Sequence, residues 1–202
     1  RVLADENGIR TRLPVVLPGQ ERAAVWVTDA DGDDALEVSG PEGTRRLAAG
    51  QIGRVLELVV APDASCVGVA THDCRVLRVD LTSGAITGLA TEHGAAAGLV
   101  FSPDSRWLAW SAASDSTLRQ IRMAELATVA LHDVTPLRFE DTCPVFPPHG
   151  LHLVFLSSRT FAPLFDTPLF GLSFPVGVRP YLLLLLPDPP SPFYPAPARC
   201  PA

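Results

Sequence analysis

The sequence predicts an all-β protein, and the main observation is a repeated unit ordered as strand, proline turn and strand. Three segments superimpose at Pro62, Pro103 and Pro148: VVAPDASCVGVA (59–70), VFSPDSRWLAWS (100–111) and VFPPHGLHLVFL (145–156). Turn residues between two apolar runs are the signal of a β-hairpin. The offsets of 41 and then 45 residues are typical of the blades of a β-propeller. We therefore predict a partial propeller of about four four-stranded antiparallel blades.

The unit that starts at residue 59 shows all the elements of a blade. After its hairpin the chain turns at 71–73, continues as the alternating strand VLRVD (76–80), turns again at LTSG (81–84) and ends in a weaker strand around AITGLA. A similar unit lies upstream, where residues 22–38 give a strand, an Asp-Gly turn and a second strand, and RRLA (45–48) gives an outer strand.

The later units depart from this pattern. LRQIRMAELATVAL (118–131) is interpreted as a strand pair split by a turn near Ala124 and Glu125, with a short helix as the alternative. In the fourth unit the second hairpin is expanded by an insert after VFLSSRTF (154–161). The last 16 residues hold seven prolines and cannot pair in a sheet. We predict a propeller part over 1–186 and a Pro-rich disordered tail or linker over 187–202.

Composition excludes several classes of protein. A hydrophobic share of 47% excludes a wholly disordered chain. The longest leucine run, 182–186, is far shorter than the roughly 20 residues that a membrane-spanning helix needs. A net charge of −6 argues against nucleic acid or an anionic membrane as partner.

The cysteines and the first residues bear on the compartment. Cys66, Cys74, Cys143 and Cys200 are too few and too widely spaced for a disulfide scaffold, and RVLADENGIR has no signal segment. We therefore expect a cytoplasmic protein. The chain begins without methionine, which is consistent with a fragment of a longer one.

No residue is assigned a catalytic role. Nucleophilic serines are commonly marked by G-x-S-x-G, and the sequence does not contain this motif. Ser102 and Ser105 flank the blade turn SPDS, where we expect their hydroxyl groups to bond to local backbone.

No metal or cofactor site is assigned either. Cys143, His149 and His152 have the spacing C-x5-H-x2-H without a fourth ligand nearby, and His72 and Cys74 only bracket a turn. Asp29, Asp31 and Asp33 begin like a calcium loop. However, Gly32 stands at the fourth position instead of the sixth, and no glutamate stands at the twelfth, so a solvated hairpin turn is favoured.

The stretch from Val134 to Leu186, with its inserted hairpin SSRTF…LFGLSFPVGVRPYL, resembles the tricorn protease family of bacteria and archaea. So does the preceding blade LVFSPDSRWLAWS with LRQIRMAELA. The resemblance implies a large, self-compartmentalising serine peptidase with two N-terminal propellers, a PDZ module and a C-terminal catalytic portion, assembled as a homohexamer. This segment would belong to the second, seven-bladed propeller, which filters peptide substrates. The family's serine and histidine lie in the catalytic portion, so no catalytic residue carries over.

Two other interpretations stay open: a stand-alone WD40-like module for protein–protein interaction, and a non-functional truncated copy.

One departure from the blade pattern is Cys74 after Asp73, where glycine is usual, so this turn would be strained or of another type. Four blades cannot close a ring and leave their end strands unpaired. We therefore expect the isolated chain to be poorly soluble or to self-associate.

A propeller offers interaction surfaces at its inner strands and at its rims. If residues 55–60, 96–101 and 141–146 are inner strands, the side chains of Val59, Ala61, Gly98 and Val100 predict a channel of low charge. Arg75, Arg106, Arg122 and Arg159 either attract peptide carboxylates at a rim or are ordinary surface arginines. Trp26, Trp107 and Trp110 are expected to pack between neighbouring blades.

Overall fold

The computed structural model describes residues 8–115, 118–160, 164–166, 171–173 and 177–186. These residues form strands and turns without any helix. Four antiparallel sheets follow one another along the chain, three with four strands and the last with three. Each sheet is a blade, and together they form the partial β-propeller that the repeat predicts. The predicted Pro-rich tail at 187–202 lies outside the described residues.

The first two blades are simple meanders in which each strand pairs with the next one. Blade 1 contains Thr11–Val16 (β1), Ala24–Thr28 (β2), Ala35–Gly40 (β3) and Gly43–Leu47 (β4). Blade 2 contains Val55–Val60 (β5), Cys66–Thr71 (β6), Arg75–Asp80 (β7) and Ile86–Thr91 (β8).

Blade 3 repeats this arrangement, and blade 4 interrupts it with a hairpin. Blade 3 contains Ala97–Phe101 (β9), Trp107–Ala113 (β10), Arg119–Glu125 (β11) and Leu131–Asp133 (β12). Blade 4 contains Glu140–Val145 (β13), His152–Ser158 (β14) and Val178–Leu184 (β17). The strands Leu164–Asp166 (β15) and Gly171–Ser173 (β16) form a separate two-stranded sheet between β14 and β17. The expanded hairpin of the fourth unit is thus present.

The proline turns of blades 2, 3 and 4 share a backbone conformation. Ala64, Ser105 and Gly150 all have left-handed φ angles, of 55°, 57° and 67°. In blades 2 and 3 the preceding aspartate accepts a hydrogen bond from the turn: Asp63 from Ser65 N at 3.0 Å and Asp104 from Arg106 N at 3.2 Å. Partial burial alone would raise the pKa of both carboxyl groups, but the hydrogen bonds outweigh it and lower the pKa.

Cys74 keeps the left-handed turn that glycine would normally supply. Its φ is 63°, and its amide donates to the carbonyl oxygen of Thr71 at 3.1 Å. The turn therefore keeps its hydrogen bond and places a non-glycine residue in the left-handed region, which costs about 1–2 kcal/mol.

Two sequence expectations need correction. The turn predicted near Ala124 and Glu125 lies at 126–128, because Ala124 is a buried strand residue that pairs with both Leu108 and Leu131. The strand β1 was not predicted at all. Pro14 and the left-handed Leu13 (φ 52°) interrupt its alternation.

The hydrophobic core lies between the blades. One cluster joins blades 1 and 2, a second joins blades 2 and 3, and a third joins blades 3 and 4. Trp110 belongs to the second cluster and donates its indole N–H to Glu92 at 2.9 Å. Trp107 packs against the third cluster and meets His132 edge-on, with the ring centroids 5.6 Å apart. Trp26 is buried and donates to Glu37 of its own blade at 2.9 Å.

Candidate functional site

The first strand of each blade lies on the inside of the arc. β1 contacts β5, β5 contacts β9, and β9 contacts β13, so these four inner strands lie side by side. Each pairs irregularly with the second strand of its own blade. Such bulges bend a strand and turn its side chains away from regular alternation.

The bulges let successive inner strands approach closely. Gly98 of β9 has a φ of 67°, and a Cβ atom at this position would lie 3.3 Å from Cδ of Pro144 in β13. Cys143, beside Pro144, has a φ of 54°. A larger residue at Gly98 would therefore strain the backbone and push β9 and β13 apart.

The inner strands present uncharged side chains to solvent. Their exposed residues are Thr11, Pro14, Val16, Leu56, Ala97, Cys143 and Val145. The charged residues on the same strands are buried or half-buried: Arg12, Glu57, Glu140 and Asp141. An extended peptide that passes along this surface would meet no exposed charge on the strands themselves.

Two carboxylates, one on an inner strand and one between β2 and β3, connect neighbouring blades. Glu57 of β5 accepts hydrogen bonds from the Gly98 and Leu99 amides of β9 at 2.9 and 2.8 Å. Asp34 of blade 1 accepts from the Val55 amide of β5 at 2.8 Å and from Arg12 at 2.5 Å. Hydrogen bonds to ionised groups are about twice as strong as neutral ones, so these contacts fix the spacing of the inner strands.

The four side chains that the sequence suggests for a channel lining differ in exposure. Val59, Gly98 and Val100 are half-buried on inner strands, whereas Ala61 is completely buried. The most exposed large apolar side chains of the inner strands, Val16, Leu56 and Val145, are not singled out by the sequence. Bulges shift which side chains point outward, and the sequence gives no signal for a bulge except Pro14 and Pro144.

The two serines of the SPDS turn have structural partners. Ser102 Oγ accepts the Trp107 amide at 2.9 Å and donates to Asp104 at 2.5 Å, a local arrangement like the one predicted. Ser105 Oγ differs, because it accepts the Asp63 amide of the neighbouring blade at 3.1 Å. Ser105 therefore joins two blades at their turns.

The candidate metal ligands among the described histidines and cysteines lie on different elements. Cys143 is exposed on β13, His149 lies in the proline turn and His152 is buried at the start of β14. The His149 and His152 rings meet edge-on with centroids 5.2 Å apart, and neither ring nitrogen of His152 has a hydrogen-bond partner among the described residues. His72 accepts the Arg54 amide at 3.3 Å. Within the described ranges, no three His, Cys, Asp or Glu side chains form a set that could hold a metal ion.

The acidic loop between β2 and β3 directs its carboxylates to different partners. Asp29 accepts the Arg10 amide at 2.7 Å, and Asp31 pairs with Arg46 at 2.6 Å. Because these groups bond outward instead of toward a common centre, the loop behaves as a hairpin turn.

The four candidate arginines have acidic or aromatic neighbours. Arg75 pairs with Asp73 at 2.6 Å, and Arg106 lies 3.5 Å from Glu125 with most of its side chain exposed. Arg122 pairs with Glu92 and Asp133 at 2.9 and 2.8 Å. Desolvation lowers the pKa of Arg122, but these contacts raise it by more.

Arg159 is the fourth of these arginines, and it directly follows β14. Its guanidinium carbon is 4.0 Å from the centroid of the Tyr181 ring and 4.8 Å from that of Phe139. Of the four, Arg106 is the most exposed.

Consecutive antiparallel blades whose first strands lie side by side define a segment of a β-propeller. The chain belongs to the family described as the tricorn protease second β-propeller domain, whose model matches residues 1–201. It is 50% identical over 204 residues to tricorn protease homolog 1 of Streptomyces coelicolor, a match that covers 96% of this chain and 19% of that relative. It is 25% identical over 185 residues to the tricorn protease homolog of Saccharolobus solfataricus, a match that covers 91% of this chain and 17% of that relative. The chain thus spans less than a fifth of the length of both relatives.

Solved structures share the fold. The crystal structure of the tricorn protease superimposes with a TM-score of 0.81 at 20% identity, covering 91% of this chain and 18% of that one. The structure of a putative TolB protein from Agrobacterium tumefaciens superimposes with a TM-score of 0.53 at 20% identity, and the match covers 81% of this chain and 57% of that one. Among the described residues, no helix is long and apolar enough to cross a membrane.

Proposed function

We propose that this chain is a non-catalytic propeller segment of a tricorn-like serine protease, and that it channels unfolded peptide substrates toward catalytic groups located in other segments of the parent enzyme. The family membership supports the context, and the uncharged exposed face of the inner strands is the observation that carries the channelling role. By family resemblance the parent is a cytoplasmic homohexamer, with residues 1–186 as the propeller part of this segment.

The physical reason lies in how an extended chain is recognised. A peptide in transit must not bind tightly at any single point, and an exposed charge would attract or repel particular side chains. A surface of Val16, Leu56, Ala97 and Val145 offers weak, non-directional contact with apolar and polar segments alike. Such a surface suits many sequences and selects for unfolded ones by shape.

The test places charge on this surface within a complete enzyme. This chain would replace the matching segment of the Streptomyces coelicolor relative, and Val16→Glu, Leu56→Glu and Val145→Glu would be introduced singly. We expect kcat/KM for a long unfolded polypeptide to fall about tenfold, the effect of about 1.4 kcal/mol, because the peptide must pass a solvated charge. Hydrolysis of a short peptide should be unchanged.

Leu137→Glu is the matched control, since Leu137 is also exposed but lies outside the inner strands. It should leave both substrates unaffected. Equal losses for long and short substrates would show a defect in folding or assembly, and no loss for either would show that the inner strands are not on the peptide's path. Both outcomes contradict the proposal.

A further inference from the structure

The three joints between successive blades are built alike at the ends that carry the proline turns. A leucine directly follows the third strand of blades 2, 3 and 4: Leu81, Leu126 and Leu185. Each donates its amide to the carbonyl oxygen of the residue just before the second strand of its own blade, at 2.9, 2.9 and 3.1 Å. Each also belongs to, or packs against, the core cluster that its blade shares with the preceding one. The three leucines therefore occupy equivalent positions.

An arginine bridges two of these joints. Arg45 of blade 1 donates its guanidinium to the carbonyl oxygen of Leu81 and, at 3.1 Å, to that of Thr82. Arg78 of blade 2 donates to the carbonyl oxygen of Leu126 at 3.2 Å. At both joints, the carbonyl oxygen of the leucine that follows the third strand thus accepts a guanidinium from the preceding blade.

The joint between blades 3 and 4 has a methionine at the position of the second arginine. Arg78 pairs with Gly68 as Met123 pairs with Ala109, and the sequence repeat aligns Gly68 with Ala109. Met123 is therefore the counterpart of Arg78. A thioether has no N–H group to donate, so Met123 cannot bridge to the carbonyl oxygen of Leu185.

A cavity of about 670 Å³ lies at this third joint. The cavities at the two bridged joints are smaller, at about 500 and 280 Å³. Met123 and Leu185 line the large cavity together with the rings of Trp107 and His132, which meet edge-on. Its volume lies within the range of about 300–1,000 Å³ that is typical of ligand-binding sites.

The charges around this cavity suit a cation. Asp104 lines the cavity and is exposed to solvent. Both hydrogen bonds that its carboxylate accepts from described residues, from Ser102 and from the Arg106 amide, go to Oδ1, so Oδ2 can accept a further donor. The Arg106 side chain also lines the cavity, but its Nη2 lies 3.5 Å from Glu125, which lines the joint between blades 2 and 3.

We propose that the cavity between blades 3 and 4 binds an arginine side chain of a peptide, in the position that Arg45 and Arg78 fill at the other two joints. The guanidinium contacts the Leu185 carbonyl oxygen and the Asp104 carboxylate, and its flat face stacks on the Trp107 ring. Five N–H donors and a weakly hydrated, planar group fit this combination of oxygens and rings, whereas the compact, strongly hydrated ammonium of lysine does not. The site shares no residue with the exposed face of the inner strands, so binding here and passage of peptides there are independent.

The test uses the full chain and a label inside the cavity. Met123 is the chain's one methionine, so a ¹³C label on its methyl group gives a single NMR signal. N-acetylarginine methylamide should shift this signal with a Kd of about 0.1–1 mM. N-acetylcitrulline methylamide has the same shape without the charge and should bind about tenfold more weakly. No shift with the arginine compound, or equal affinities for the two compounds, would overturn the proposal.

Two variants test whether the compound binds at this joint. Met123→Arg supplies the guanidinium that blade 3 lacks, so it should reduce saturation transfer from the protein to the arginine compound about tenfold without lowering the thermal midpoint. Met123→Leu is the matched control, since leucine has a similar volume and no guanidinium, and it should leave saturation transfer unchanged. Equal saturation transfer in the two variants would show that the compound binds elsewhere and would contradict the proposal.

Discussion

Asp141 has a completely buried side chain whose carboxylate oxygens accept no hydrogen bond within the described residues. The nearest cation is Arg159, with its Nη2 at 4.0 Å from the carboxylate. Arg159 is held in place by the Tyr181 ring and by a hydrogen bond that its Nε donates to Ser157 Oγ at 2.9 Å. A buried charge is costly without compensation, so Arg159 is expected to matter mainly through Asp141.

This coupling can be measured by a double-mutant cycle. Arg159→Leu should lower the free energy of unfolding by about 2–3 kcal/mol, because it leaves the Asp141 charge uncompensated. In an Asp141→Asn background the same change should cost much less. Urea denaturation of the four proteins measures both values, and Arg179→Leu, at an exposed position of β17, is the matched control. Equal costs in the two backgrounds would show that Arg159 acts only through its aromatic contacts.

The inner strands are the elements on which the blade-to-blade contacts depend. Glu57 accepts one backbone amide of β9 on each of its two carboxylate oxygens. A glutamine at this position keeps only one acceptor atom, directs an NH₂ group at one of the two amides and carries no charge. Glu57→Gln should therefore lower the free energy of unfolding by about 1–2 kcal/mol. Thermal unfolding monitored by circular dichroism measures the change, with Glu42→Gln in the exposed β3–β4 turn as control. An unchanged midpoint would mean that water replaces the Glu57 bonds without loss.

The sequence predicts these elements well where the information is local. The turns at Pro62, Pro103 and Pro148 and the alternation of 76–80 need only neighbouring residues, and the strands were placed correctly from them. β1 was missed because a bulge and Pro14 break its pattern.

The inter-blade contacts could not be predicted in the same way. Glu57 lies 41 residues from the nearer of the two amides it binds, and no spacing rule links them. The same holds for Arg78 of blade 2, which donates to the Leu126 carbonyl oxygen of blade 3 at 3.2 Å across 48 residues of sequence.

At the scale of the whole molecule, blade 4 has a face with exposed apolar side chains in the part of the chain that the structure describes. Leu156, Val178 and Leu184 are 37%, 60% and 50% exposed. Blade 3 has a corresponding face, which packs against blade 4. Ala109 lies on that face of blade 3 and is fully buried. A face that is buried in one repeat and exposed in the next can pack against another sheet.

We therefore expect the isolated chain to self-associate. Size-exclusion chromatography with light scattering should show species larger than a monomer at micromolar concentration. Leu156→Glu together with Leu184→Glu should shift the population toward the monomer, since each places a charge on the open face. Val129→Glu, an exposed turn residue, should not. A clean monomer for the unsubstituted chain would contradict the expectation.

The hairpin inserted between β14 and β17 also bears on the order of folding. In blade 2 the second and third strands are joined by residues 72–74, whereas in blade 4 they are joined by residues 159–177. Closing a connection of 19 residues instead of three costs about 1.6 kcal/mol more in chain entropy. Blade 4 is thus expected to form after blades 2 and 3 and to exchange its amide hydrogens first, as the least protected cooperative unit of the arc.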